Sequence, residues 1–212
     1  MLYPLNFNLE GKRIVIVGGG PVAVRRAKGF LAAGAVVELI TPFLSPKAAE
    51  MVEAGEVTHP AEHFAPEHLK GCFCVVAATN KPEVNRAVAE TAREHGVLVN
   101  MAAPPMELSD FSVPAKVENG GLLLSIATGG ASPELSRLLR CELEAGFAAL
   151  YGPLTERLAA YRGQVQELLP DSGAREQFWR QTLDGVVLGL AKEGRYDEAE
   201  EVIKNAISSI GS

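Results

Sequence analysis

The apolar positions of the chain follow two grammars that change near residue 110. Before it, short β-branched runs alternate with helical stripes. Ile14-Val15-Ile16-Val17 is continuous apolar sequence, as in a strand buried on both faces, and places a strand at Arg13–Val17. Ala23, Ala27, Phe30 and Leu31 then fall at i, i+4, i+7 and i+8, one stripe of a helix; Gly34 suits its C′ position, and Val36–Ile40 resumes strand chemistry. The pattern predicts further strands at Glu56–His59, Phe73–Ala77 and Val97–Asn100. Between the last two, a helix is expected from an Asn80 cap, with Pro82 in its first turn and Glu83 completing a capping box, to about His95 and a closing Gly96. Strand and helix in alternation specify an α/β fold, a Rossmann-type doubly wound parallel sheet whose ligands sit at the carboxyl ends of its strands.

After residue 110, Ser112–Val117 and Leu122–Ala127 read as two short strands around Asn119-Gly120, a strong hairpin signal. A second glycine turn, Thr128-Gly129-Gly130-Ala131, leads to Ser132 as helix cap and Pro133 at the first helical position, with Leu135, Leu138, Leu139 and Leu143 as the apolar stripe. A hairpin and one helix cannot bury themselves, so they must pack on the first domain or on a second copy, and a homodimer is favoured. Helices are expected over 153–169, 174–193 and 196–208, broken at Pro170–Gly173 and at Gly194. The organisation read from the sequence is a dinucleotide-binding domain over 1–111, a small α+β dimerisation segment over 112–150 and a C-terminal helical module over 151–212.

Composition narrows the function classes. A net charge of −6 over 212 residues argues against a nucleic-acid or anionic-membrane surface. No apolar run reaches the roughly 18 residues that span a bilayer. Met1–Asn6 lacks the basic and apolar regions of a signal peptide, so a cytoplasmic protein is expected. Cys72, Cys74 and Cys141 are odd in number; the first two, alternating in one apolar run that would turn them to the same side of a strand, read as buried free thiols in a reducing compartment. Glu38 reads as a solvated or edge charge. His59, His63 and His68, with Glu62 and Glu67 between them, do not share the spacing of one helical face, and no metal site is expected.

The candidate chemistry lies where the first strand stops. Gly18-Gly19-Gly20-Pro21-Val22-Ala23 reads Gly-x-Gly-x-x-Ala between a strand and a helix, which points unpaired helix N–H groups and a positive partial charge at a diphosphate. Gly18 is read as making the tight turn, Gly20 as admitting the pyrophosphate, and Ala23 as allowing close helix–strand packing. The ribose should meet Thr41-Pro42-Phe43 at the end of the second strand. No acid stands there to repel a 2′-phosphate and no Arg to welcome one, so the pattern leaves NAD and NADP both open. Ala78-Thr79-Asn80 and Asn100–Ala103 follow strands four and five and should border the same crevice; Asn100 reads either as a turn former or as a ligand contact.

These residues carry a resemblance. Tyr3-Pro4-Leu5 with Leu9-Glu10-Gly11-Lys12, then Val17–Ala23, Ala77–Asn80 with Val84-Asn85, and Val99-Asn100 resemble the siroheme-synthase amino-terminal family. The likeness continues through Ser125-Ile126-Ala127-Thr128-Gly129-Gly130-Ala131-Ser132-Pro133, Leu138-Leu139-Arg140 and Arg175-Glu176-Gln177-Phe178-Trp179; the Thr-Gly-Gly-Ala-Ser-Pro segment is its specific part. The resemblance covers nearly the whole chain, without the methyltransferase of trifunctional members. It implies precorrin-2 dehydrogenase activity with NAD, insertion of Fe²⁺ into sirohydrochlorin in some members, a homodimer whose middle segment exchanges between subunits, and a tetrapyrrole in the cleft. Many relatives carry an Asp shortly after the strand-five Asn, where this chain has Ala103. Either the acid has migrated to Asp110, which the Pro104-Pro105 loop could swing back over the crevice as the catalytic carboxylate, or it is lost, leaving a non-catalytic tetrapyrrole- or nucleotide-binding member. Substrate contacts are expected from Asn100, Thr128, Gly129, Gly130 and Arg137, with Arg140 as a further cation for the tetrapyrrole carboxylates.

Overall fold

Runs of Val and Ile too short for helices but buried on both faces set the centre of the fold. In the computed structural model, which describes residues 2–210, β1 (Arg13–Val17), β2 (Val36–Ile40), β3 (Thr58–Ala61), β4 (Cys74–Ala77) and β5 (Leu98–Met101) form one parallel sheet in the order β3-β2-β1-β4-β5. Helices α1 (Pro21–Leu31), α2 (Pro46–Glu53) and α3 (Pro82–Glu94) connect them. On one face Ile14 and Ile16 pack with Ala23, Ala27 and Phe30 of α1 and Ala48 and Met51 of α2. On the other, Val15 and Val17 pack with Val88, Ala89 and Ala92 of α3. Covering both faces explains why β1 and β4 show no polar alternation. The strand order reverses between β1 and β4, so their carboxyl ends flank a crevice.

Several local expectations change. The third strand runs through Pro60 rather than ending before it. β3 is an edge strand, where a missing N–H is tolerated, and its pairing with β2 shifts register between Glu38 and Ile40. Lys81, not Asn80, precedes the first turn of α3; Thr79 Oγ1 instead accepts from Lys81 N at 3.1 Å. Glu38 is not solvated: Arg13 Nε and Nη2 donate to its two carboxylate oxygens at 2.8 and 2.7 Å, across neighbouring strands. Cys72 and Cys74 do not share a face, because Cys72 lies before β4; Cys74 packs toward α1 and Cys72 toward α3, with the Cys72 thiol donating to Cys74 O at 2.8 Å. Burial pushes the Cys74 thiol up to about 12, which keeps it neutral and inert.

The chain divides after Val113 into two compact units. In the second, β6 (Ala115–Asn119) and β7 (Leu122–Ile126) pair antiparallel. The turn between them is Gly120-Gly121, with φ of 54° and 80°, rather than Asn119-Gly120; two left-handed positions need two glycines. Asn119 is thereby freed to donate from Nδ2 to Ala148 O at 3.0 Å. Helix α4 (Pro133–Leu143) passes through a wide π-turn at Glu144–Ala148 directly into α5 (Ala149–Leu168), so residue 150 lies within continuous helix. The expected 174–193 helix is two, α6 (Ser172–Thr182) and α7 (Gly185–Lys192), because Asp184 caps the second by accepting from Val186 N at 2.9 Å. With α8 (Tyr196–Ser208) they enclose a core of Leu154, Val165, Val187, Ala191, Ala199, Ile203 and Ile207. Residues 114–150 and 151–210 thus lie in the same unit.

Candidate functional site

The three glycines after β1 are glycine for three different reasons. Gly18 has φ 134°, and a Cβ there would stand 2.6 Å from Ala78 O. It lets the chain after β4 close on the end of β1, with Ala78 N donating to Val17 O at 2.9 Å. A Cβ on Gly19 would collide with Phe43 O, at the turn after β2. Gly20 is different. At φ −85° it precedes α1, and a Cβ there would meet nothing within 4 Å. No side chain caps α1 at Gly20, and no acid stands in its first turn. Pro21 has no N–H; those of Val22 and Ala23 begin the helix, and Ala23 is fully buried against the sheet. A backbone cradle with a positive helix end, closed on two sides and open on the third, fits a dinucleotide's diphosphate.

Around the cradle, Thr41 is buried and its hydroxyl donates to Phe43 O at 2.9 Å, so it shapes the turn rather than facing a ribose. His59 Nε2 lies 2.8 Å from Thr41 O, a structural bond. Pro42 and Phe43 are the exposed residues of this turn, Phe43 being 72% exposed with its carbonyl against Gly19. Ser45 N donates to Gly19 O at 3.0 Å, tying the start of α2 to the glycine turn.

The loops after β4 and β5 are joined by a residue that the sequence reading did not select as part of the site. Asn85, on the buried stripe of α3, is 1% exposed. Its Nδ2 donates to Thr79 O at 3.0 Å and to Pro104 O at 2.9 Å; its Oδ1 accepts from Thr79 N at 3.2 Å and Thr79 Oγ1 at 2.7 Å. The signal was an amide at i of an otherwise apolar i, i+3, i+4, i+7 stripe with Val88, Ala89 and Ala92.

Asn100 and Asp110 take other places than those expected. Asn100 is 3% exposed and turns to the segment after the loop, donating to Phe111 O at 2.7 Å, while its Oδ1 is buried without a partner. Asp110 does not swing over the crevice. Its N donates to Val99 O at 2.8 Å and its Oδ2 accepts from Val99 N at 2.9 Å, two residues before the carboxyl end of β5. The physical reason is the open edge of β5: its unpaired backbone groups need partners, and Ser109 and Asp110 supply them, Ser109 Oγ accepting from Met101 N at 2.9 Å. Among the described residues, no group of three or more His, Cys, Asp or Glu could hold a metal ion.

Residues 5–115 match the family model described as "Putative NAD(P)-binding". The chain belongs to this NAD(P)-binding family. Residues 150–207 match the model of the sirohaem synthase dimerisation region, which falls on the C-terminal helices rather than on residues 112–150. Siroheme synthase of Chromobacterium violaceum is 36% identical over 210 residues, 99% of this chain and 44% of that protein. Siroheme synthase of Azotobacter vinelandii is 37% identical over 201 residues, covering 95% of this chain and 43% of that protein. The chain thus spans less than half the length of these curated relatives. The solved structure of SirC, precorrin-2 dehydrogenase, superposes with a TM-score of 0.72 at 26% identity, over 96% of this chain and all of that one. No helix among the described residues is long and apolar enough to cross a membrane.

In the family member described here, the second glycine turn is a capping device as much as a site. Thr128 Oγ1 donates to Ser132 O at 3.1 Å and accepts from Ser132 N at 3.3 Å, holding the start of α4. Gly129 and Gly130, at φ 62° and 85°, have nothing within 4 Å of a Cβ. Arg137 is exposed and donates to both carboxylate oxygens of Glu134, whose carboxyl is held below its ordinary value by that guanidinium. Arg140 is paired through Nη1 with one carboxylate oxygen of Glu144. Leu139 and Leu143 pack on the hairpin, whereas Leu135 and Leu138 remain 47% exposed each.

Proposed function

We propose that this chain oxidises precorrin-2 to sirohydrochlorin in siroheme synthesis, with NAD as hydride acceptor. The observation that carries the reading is the Gly18–Gly20 turn, where two glycines are required by the protein's own backbone and the third leaves the helix end open to a ligand. The whole-length likeness to a precorrin-2 dehydrogenase supports the substrate. When bound, NAD supplies a nicotinamide ring that takes up the hydride. The chain's own residues bind and orient. The first-turn N–H groups of α1 would hold the diphosphate, the exposed Phe43 ring would stack on adenine, and Asn85 holds the loops at Thr79 and Pro104 that flank the crevice. Most of the rate then comes from holding two reactants in register. Gly129, Gly130 and Arg137 are proposed to meet the tetrapyrrole, for which Arg137 must exchange Glu134 for a substrate carboxylate.

Asp110, expected from the sequence to be the catalytic carboxylate, is held by Val99 and is assigned no proton transfer. Asp110→Ala should therefore lower stability by about 1 kcal/mol, the worth of the one bond from Val99 N to the side chain, with turnover near that of the unmodified chain. A hundredfold loss of turnover in a folded variant would restore Asp110 to the catalytic machinery.

A homodimer and a reducing cytoplasm complete the reading, supported by the dimerisation-region match, the exposed Leu135 and Leu138, and three free thiols. The test is anaerobic incubation with precorrin-2 and NAD, followed by sirohydrochlorin absorbance, with light scattering on the same sample. A dimer that forms sirohydrochlorin is expected. A chain that binds NADH yet yields no sirohydrochlorin would refute the dehydrogenase reading, and a monomer at micromolar concentration the dimer.

A further inference from the structure

A groove of about 580 Å³ lies between α1 and α2, and its lining reaches the glycine turn through Pro21, which follows Gly20. Pro21, Val24 and Pro46 give it apolar walls, and Arg25, Lys28 and Lys47 line it with positive charge. In an acidic chain this concentration of cations, without an acid in the lining, is a local exception. Among the described residues Arg25 and Lys28 have no ion-pair partner, whereas Lys47 is paired on the surface with Glu50. Ser45, at the head of α2, belongs both to the groove lining and to the bond that ties α2 to Gly19.

The position relative to the turn decides the chemistry. A dinucleotide with its diphosphate at Gly20 runs its adenosine ribose toward the end of β2, at Phe43 to Ser45. The substituent at the ribose 2′ position would then lie near the N-terminal end of α2, whose Ser45, Pro46 and Lys47 line the groove. The end of β2 carries no acid to repel a phosphate, and the sequence reading left that choice open. We propose that Arg25, Lys28 and Lys47 form a subsite for the 2′-phosphate of an adenosine ribose, so that the chain accepts NADP as well as NAD. The proposal rests on the dinucleotide reading of the Gly18–Gly20 turn and adds to it a specificity that the glycine pattern does not contain. Charge-assisted hydrogen bonds from a guanidinium and ammonium groups are the usual means of holding such a phosphate. For Lys47 this means releasing Glu50, a weak surface pairing that a dianionic phosphate can replace.

The test separates the subsite from the turn by using two fragments that share the adenosine and the 5′-phosphate. Adenosine 2′,5′-bisphosphate and AMP are titrated into the intact chain by calorimetry, at low and at high salt. The bisphosphate should bind at least about tenfold more tightly, with the advantage shrinking at high salt, where the Debye length falls to a few ångströms. In Arg25→Gln/Lys47→Gln, whose exposed positions should not perturb folding, that advantage should collapse while thermal unfolding stays as before. Equal affinities in the unmodified chain, or an advantage that survives in the double variant, would overturn the 2′-phosphate subsite and leave the dinucleotide reading standing. Failure of both fragments to bind would overturn the two together. Initial rates with NADP and NAD supply the second readout: the NADP-to-NAD ratio of kcat/KM should fall at least about tenfold in the double variant.

Discussion

Gly20→Asp should abolish dinucleotide binding in a protein that is as stable as before, or more so. The two halves of that expectation come from the same geometry. Gly20 sits at φ −85° and ψ −175°, a conformation any residue adopts, and a Cβ there meets nothing within 4 Å, so an aspartate enters without strain or collision. It also arrives at the cap position of α1, which no side chain caps at present and whose first turn has no acid. A carboxylate there accepts from first-turn N–H groups and faces the positive end of the helix, which stabilises by a few tenths of a kcal/mol or more. Those are the groups and the field that a diphosphate needs. Its two negative charges would meet a third, and its donors would already be taken. NADH affinity should fall at least about 100-fold, or about 2.7 kcal/mol, measured by fluorescence titration, with thermal unfolding monitored on the same preparation. NADH binding that persists in the folded variant would remove this turn as the site. Gly18→Ala and Gly19→Ala provide the contrast: each places a methyl group against backbone, Ala78 O or Phe43 O, and should lower stability as well as affinity.

What could be read in the sequence was set by how local the controlling interactions are. The first strand and the glycine turn are written in contiguous residues, Ile14–Val17 followed by Gly18–Ala23, and both appear where the pattern put them. The second glycine turn and its Ser132 cap are equally local, with Ser132 Oγ accepting from Leu135 N at 3.1 Å. The misplaced residues depend on partners far along the chain. Glu38 reads as a free charge until β1 brings Arg13 beside it. Asp110 reads as a carboxylate that swings over the crevice, because nothing in residues 100–112 tells that the sheet ends at β5 and leaves Val99 with backbone groups to satisfy. Asn80 and the 174–193 helix are different failures. In the first, Thr79 takes the Lys81 N–H and α3 starts after Lys81 without a side-chain cap; in the second, Asp184 caps a separate helix.

The same distinction makes Asn85 the residue whose loss should cost most outside the glycine turn. It is buried, and its amide joins three backbone groups and a hydroxyl from two loops separated in sequence, Thr79 after β4 and Pro104 after β5. Asn85→Ala removes all of these bonds at once and leaves Thr79 N, Thr79 O and Pro104 O without the partner they have now. An unsatisfied buried polar group costs about 1–3 kcal/mol, and water entering the space left by the amide would recover part of it. A net loss of about 3 kcal/mol is therefore expected in urea denaturation. If Asn85 only stabilised the fold, the surviving folded molecules would work normally. Because it fixes the two loops relative to each other, the folded variant should also turn over precorrin-2 at least about tenfold more slowly, with a smaller change in NADH affinity, since the diphosphate cradle at Gly20 lies on the other side of the crevice. Asn85→Asp distinguishes the two roles further. It keeps the shape and the two acceptor contacts from Thr79 N and Thr79 Oγ1 but can donate to neither Thr79 O nor Pro104 O, so it removes its bond to the β5 loop while keeping two of its three to the β4 loop. A kcat that falls in Asn85→Asp as it does in Asn85→Ala assigns the effect to the β5 loop. A kcat that stays at the wild-type value in both, measured at a temperature where both are folded, would show that Asn85 stabilises the crevice without positioning anything in it.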